Sequence, residues 1–209
     1  MKKILIVLFA IITFNSHAQV AVKLLDFQPR GDQAFFMKRN FAGEVMYLAP
    51  FKKKKLRSRI GLEIVSLHPR LDTFNYTTSG SDSQGDVICP AYIVFHKYTM
   101  YKVFLGFDLP VIRNKSFIGY AGLDLALGEL KYDYTQYNID RGGEVLFHNA
   151  ANALMEEIRF RIGCEYLPIE NVGIFAELTP AFSTMKGNVV GNYFFTYDIG
   201  VGIHFIIFN

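Results

Sequence analysis

From Phe195 onward every second residue is apolar: Phe195, Tyr197, Ile199, Val201, Ile203, Phe205 and Ile207. Between them stand Thr196, Asp198, Gly200, Gly202 and His204, small or polar until Ile206 and Phe208. A period of two held this long predicts one β-strand with an apolar face and a polar face. It is longer than an ordinary globular strand and long enough to cross a bilayer when tilted.

The same period recurs upstream. It predicts strands over about Val20–Phe27, Ala34–Ala49, Leu56–Leu67 and Tyr92–Leu109, a fifth from Phe117, a sixth through Ile158–Tyr166 and a seventh from Val172 to Thr179. With the final strand these make eight. Turn signals separate them: Pro29–Asp32, Lys52–Lys55, Pro110–Ser116 and Pro168–Asn171 are short. His68–Ile88 and Tyr132–Ala153 have no period and are expected as long loops, with a moderate loop over Met185–Asn192. Short connections after even strands and mostly longer ones after odd strands fit an all-β, eight-stranded antiparallel up-and-down transmembrane barrel with both termini at one end.

The glycines orient the faces. Gly61, Gly106, Gly122, Gly163, Gly173, Gly200 and Gly202 share the parity that carries charge. An eight-stranded barrel is only wide enough inside for side chains to fill it, so small residues have a steric reason to point inward. The apolar parity then faces lipid, and the lumen receives Arg59, Lys102, Arg159 and Arg161 together with Glu44, Glu63, Asp108, Asp124, Glu165, Glu177, Asp198 and His204. Charges withdrawn from water must pair. An interlocked network that plugs the barrel is the expected result.

Composition agrees with this assignment. The chain is 51% hydrophobic and 15% aromatic. After residue 19 no run approaches the length of a spanning helix, so the apolar residues are spent in short alternating segments. The first eighteen residues stand apart: Lys2 and Lys3, an apolar stretch Ile4–Phe14, then Ser16-His17-Ala18. They read as a secretory signal cleaved after Ala18, leaving the barrel as residues 19–209. Its removal takes the formal charge from +3 to +1, too little to draw the chain to nucleic acid. Cys89 falls in a long loop and Cys164 at the opposite end of its strand, an arrangement that argues against a disulfide.

The end of the chain carries a further pattern: a polar residue, a glycine two later, then two hydrophobic or aromatic residues at alternate positions, here Asp198, Gly200, Ile203 and Phe205. With this ending and eight alternating segments, the chain over Gln19–Asn209 resembles the small outer-membrane β-barrel proteins of OmpA-like and OmpX-like type. The resemblance implies the outer membrane of a Gram-negative-type cell, outer-membrane lipids as surroundings, delivery by the barrel-insertion machinery using those four residues as its signal, and a monomer. It implies no cofactor and no activity.

Candidate chemistry is sparse. A lipid A deacylase would show His-x-Ser on one strand face; here Ser66 and His68 stand in reversed order, with Glu63 on the other parity. His204 with Asp198 and Glu177 is a candidate proton-binding cluster in the lumen, and no His/Cys/Asp group has closed metal-ligand spacing. Phe74, Tyr76, Tyr132, Tyr134 and Tyr137 on the long loops are candidates for partner contact or for the headgroup-level aromatic girdle. The expectation is a structural or surface-interacting barrel with a plugged lumen, not an enzyme. The alternatives are a small-solute channel or ligand carrier and a lipid-modifying enzyme.

Overall fold

The computed structural model describes residues 19–30, 37–49, 56–69, 73–82, 85–138, 144–169, 171–186 and 193–206. The leader segment and the Lys52–Lys55 turn lie outside the described residues. Nine strands follow in order: β1 (Gln19–Arg30), β2 (Asn40–Leu48), β3 (Arg57–Leu67), β4 (Thr73–Asp82), β5 (Gly85–Arg113), β6 (Phe117–Asn138), β7 (Glu144–Ile169), β8 (Val172–Lys186) and β9 (Tyr193–Ile206).

Every pairing is antiparallel, and the sheet closes. β1 pairs with both β2 and β9, the latter from Gln19↔Ile206 to Arg30↔Phe195, and β3 pairs with β5 from Arg57↔Asp108 to Leu67↔Tyr98. Eight strands therefore form the barrel. β4 stands outside the ring and pairs with the leading part of β5, from Thr73↔Val94 to Asp82↔Gly85.

The strands differ in length far more than closure requires. A tilted strand crosses a bilayer in about 9–11 residues. β2 has 9 and β3 has 11, but β5 has 29, β6 has 22 and β7 has 26. The surplus of β5, β6 and β7 lies at the end of the barrel away from the termini, where with β4 it forms a projecting four-stranded sheet.

This sheet is where the loop expectations fail. His68–Ile88 includes all of β4 and the first residues of β5, and Tyr132–Ala153 is mostly the end of β6 and the start of β7, paired from Tyr132↔Ala151 to Asn138↔Glu144. A sheet beyond the bilayer has no need of one wholly apolar side, and over both stretches the sequence lacks the strict alternation that betrays a spanning strand. The expected turn at Pro29 is displaced too. β1 continues through Arg30, and Pro29 lies past the last β1–β2 pair, Phe27↔Asn40, so its missing N–H breaks no bond to β2.

At the termini end the connections are tight. β5 extends to Arg113, leaving Asn114–Ser116 as the turn. Asn114 closes it: its side-chain oxygen accepts from the backbone N–H of Ser116 at 3.0 Å and of Phe117 at 2.8 Å, the usual device by which a short amide replaces a backbone partner.

The two faces divide as the alternation requires. Outward Leu62, Leu105, Leu125 and Ile162 are 58%, 58%, 61% and 66% exposed, whereas inward Lys102, Asp124 and Arg161 are at most 1% exposed. A water-soluble barrel has the reverse arrangement, and this polarity is that of a transmembrane one. The inward glycines are where side chains from neighbouring strands come closest. A Cβ on Gly163 would stand 2.5 Å from the Tyr120 ring, and one on Gly106 would run into the Asp124 carboxylate and the Leu123 carbonyl. Gly43, by contrast, has nothing within 4 Å of that position. Gly106→Val is therefore expected to cost about 1–3 kcal/mol through overpacking, with Gly43→Val near neutral. Denaturant midpoints of the two variants check this.

Candidate functional site

The lumen has two compositions, and the boundary runs around the barrel from strand to strand. Along β1 the inward residues change from Lys23 to Leu25 and Phe27; along β3 from Glu63 to Val65 and Leu67; along β5 from Lys102 to Met100 and Tyr98; along β7 from Glu157 to Met155 and Ala153. On the far side of the boundary Leu25, Phe27, Val65, Leu67, Tyr98, Met100, Leu130, Tyr132, Met155 and Met185 form one apolar cluster. The sequence reading assigns polar character to the whole lumen; its far half is apolar. On the termini side lies charge, beside a smaller apolar cluster of Ala21, Met46, Leu48, Phe104, Ala126 and Phe175.

That charge is closely interlocked. Arg159 reaches three carboxylates, Glu44 at 2.8 Å, Glu63 at 2.6 Å and Glu157 at 2.5 Å. Lys102 pairs with Glu63 at 3.0 Å and Glu157 at 3.1 Å, and Ser183 donates to Glu157 at 2.6 Å. A second centre gathers on Glu177, which takes Lys23 at 2.6 Å, Arg59 at 2.7 Å and the Tyr120 hydroxyl at 2.8 Å. Glu44 links the two centres, since Lys23 also approaches it at 2.6 Å. Arg161 joins Asp108 to Asp124, and Arg57 bridges Asp108 at 2.9 Å and Glu165 at 2.6 Å. The Phe104 ring lies beneath both the Arg59 and Arg159 guanidinium groups, at 5.2 and 4.9 Å, so cation–π contact adds to the pairing.

Every charged residue expected in the lumen is buried there: Glu44, Arg59, Glu63, Lys102, Asp108, Asp124, Arg159, Arg161, Glu165, Glu177, Asp198 and His204. Lys23, Arg57 and Glu157 join them unannounced. Arg57 and Glu157 were available from the pattern, each lying two residues before an arginine assigned inward. Among the described residues eight buried carboxylates meet six lysines and arginines in the lumen. Asp198 is in no ion pair; its partner is the Thr196 hydroxyl at 3.5 Å.

Two candidate clusters do not assemble. His204 bonds Glu165 at 2.9 Å, while Glu177 is held by Lys23 and Arg59, so His204, Asp198 and Glu177 form no common site. Ser66 and His68 share the outward rim, where Asn40 bonds the His68 ring at 2.8 Å and the Ser66 carbonyl. Glu63 faces the lumen with Lys102 and Arg159, away from this pair.

The aromatic residues also need correcting. Tyr132 is 6% exposed and Tyr134 packs against the apolar lumen cluster; both belong to β6 and not to a loop. Tyr137 alternates with them and stacks on Tyr92 of β5 at 4.8 Å between ring centroids. Phe74 and Tyr76 are in β4, in register with Ile93 and Ala91. At the other end of the chain, Ile203 and Phe205 face outward on β9, while Asp198 and Gly200 face the lumen. Cys164 is an exposed free thiol opposite Gly119, near the termini end, whereas Cys89 is paired with Thr78 in the projecting sheet.

No family model and no curated protein matches the chain. Solved structures do. Neisserial surface protein A is similar over 90% of this chain and 96% of its own, with 12% identity and a TM-score of 0.55. The attachment invasion locus protein Ail of Yersinia pestis, solved with a heparin analogue, covers 91% of this chain and 99% of its own at 12% identity and a TM-score of 0.48. For the outer-membrane protein OprG of Pseudomonas aeruginosa these values are 93%, 97%, 13% and 0.40. Closed ring, inward charge and outward apolar belt give this chain the fold of the small outer-membrane β-barrels.

Proposed function

We propose that this protein is a monomeric integral outer-membrane barrel, closed to solutes, whose working surface is the sheet projecting from its far end. That end faces the cell exterior on this reading. The observation that supports this is the burial of the inward apolar and charged side chains. A solute entering from the far end meets the apolar cluster around Met100, Leu130 and Met155, then the paired charges of Arg159, Lys102 and Glu177. Ions are repelled by the first for want of water and obstructed by the second for want of space.

Outer-membrane lipids surround the belt, and the barrel-insertion machinery places the chain using its last strand. The reading is non-enzymatic, and it is supported by Glu63, the acid nearest in sequence to the rim pair Ser66 and His68, being held in the lumen by Lys102 and Arg159. Interaction is left to β4–β7, whose Tyr92–Tyr137 stack offers a rigid aromatic contact.

Planar-bilayer recording tests the closed lumen. Reconstituted protein is expected to give no resolved conductance steps, and steady single-channel steps would transfer preference to the small-solute channel. On a denaturing gel the unboiled protein is expected to migrate ahead of the boiled, because a closed hydrogen-bonded barrel resists detergent until heated. Absence of that shift, with the protein found in the soluble fraction, would overturn the membrane reading itself.

A further inference from the structure

We propose that the outward face of the projecting sheet carries a two-histidine site for a divalent transition metal, formed by His96 of β5 and His148 of β7. Three neighbouring strands build it. His148 lies directly opposite Thr135 of β6 in the register. His96 is the extra residue of a bulge, where the β5–β6 pairing shifts between Phe95 and Lys97. A bulge re-aims a side chain that regular alternation would send elsewhere.

Here the two imidazoles converge on one point. His96 Nε2 lies 2.8 Å and His148 Nδ1 2.9 Å from the same Thr135 hydroxyl oxygen, and the ring centroids are 6.0 Å apart.

The remaining ring nitrogen of His148 faces a carboxylate. Asp133, two residues before Thr135 on β6, holds Oδ1 3.1 Å from His148 Nε2. With the proton on Nε2, toward that carboxylate, Nδ1 presents a lone pair toward Thr135 and His96. A carboxylate behind a ligating histidine is the arrangement that fixes ring orientation and raises basicity at metal sites. The Thr135 hydroxyl has one proton, which goes to His148 Nδ1, and its oxygen accepts from His96 Nε2. A metal ion entering between the rings replaces that hydroxyl as the common partner once His96 shifts its proton to Nδ1.

The setting is accessible: His148 is 58% and Asp133 42% exposed. Among the described residues no three His, Cys, Asp or Glu side chains converge as ligands. The described residues therefore supply two nitrogens, and water would complete the coordination. That composition favours copper, nickel or zinc over calcium or magnesium. It also makes the bound ion exchangeable and open to a further ligand, unlike a closed structural site.

Titration of the detergent-refolded full chain with Cu²⁺ alone, followed by calorimetry and by electron paramagnetic resonance, tests the site. One equivalent is expected to bind with a spectrum showing nitrogen coordination. His148→Ala and His96→Ala should each weaken it at least tenfold, and Asp133→Ala about 10- to 100-fold. His68→Ala should leave binding unchanged. Since both histidines are exposed, each variant should keep its heat-dependent gel shift; His148→Gln serves where the alanine variant does not fold. Absence of saturable binding, or binding that neither His148 substitution weakens, would overturn the proposal.

Discussion

Replacing Arg159 by methionine is expected to cost about 3–5 kcal/mol of barrel stability, the range for removing one member of a buried charge cluster. The guanidinium is 1% exposed and holds Glu44, Glu63 and Glu157, each buried as deeply. Methionine keeps much of the volume and the contact with the Phe104 ring, so the loss isolates charge from packing. Three carboxylates would then depend on Lys102, which Glu63 and Glu157 already share, and on Lys23 and Arg59, which also serve Glu177. The comparison is Lys186→Met. Lys186 also meets a glutamate, Glu156 at 2.9 Å, but the partners are 69% and 48% exposed, and such pairs contribute about 0–1 kcal/mol. Unfolding in urea, followed by the fraction of protein retaining the fast-migrating gel form, should separate the two variants widely. Adding Glu63→Gln to Arg159→Met should recover part of the loss, because it removes one stranded charge. Equal midpoints for Arg159→Met and Lys186→Met would mean that the lumen is wet and its ion pairs are screened.

How much of this was legible in the sequence follows from where water is. Inside the bilayer the chain has no latitude: one face must satisfy lipid and the other must fit a narrow lumen. Parity along β3 and β7 therefore puts Arg59, Glu63, Arg159 and Arg161 on one face, and all four are buried. Outside the bilayer that constraint ends. Ser79–Asp82 in β4 and Asn138 in β6 show no alternation, yet they pair as regularly as the spanning residues. Partner identity was hidden for another reason. His204 could be assigned to the lumen, but its bond to Glu165 rather than to Asp198 depends on relative height and tilt across strands, which one strand's alternation does not encode. The proposed two-histidine site was hidden twice, by His148 lying in a stretch without period and by a bulge that moves His96 off the parity of its strand.

Leu105→Arg should destabilise the folded barrel in lipid by about 2–4 kcal/mol, the cost of an arginine at mid-bilayer depth on a barrel's outer face. Leu105 is 58% exposed and sits between Ile60 of β3 and Leu125 of β6 in register. Along β5 the outward apolar series Tyr101, Val103, Leu105, Phe107, Leu109 and Val111 extends two or more residues of its parity on either side. An arginine there has a long way to reach headgroups at either surface. Thr99 shares the outward parity but lies past the series, opposite Lys131, and Thr99→Arg is expected near 0–1 kcal/mol by the same depth dependence. Unfolding in phosphatidylcholine vesicles measures both. The contrast between the sites matters more than either value, because both variants place an arginine on the outward face of one strand at different depths. If the outward belt faced water or a protein partner instead of lipid, Leu105→Arg would remove a solvent-exposed leucine and stabilise the chain or leave it unchanged. A large loss at position 105 with none at 99 fixes both the polarity of the barrel and the height at which the bilayer ends, and so marks the part of β5 that carries the projecting sheet into solvent.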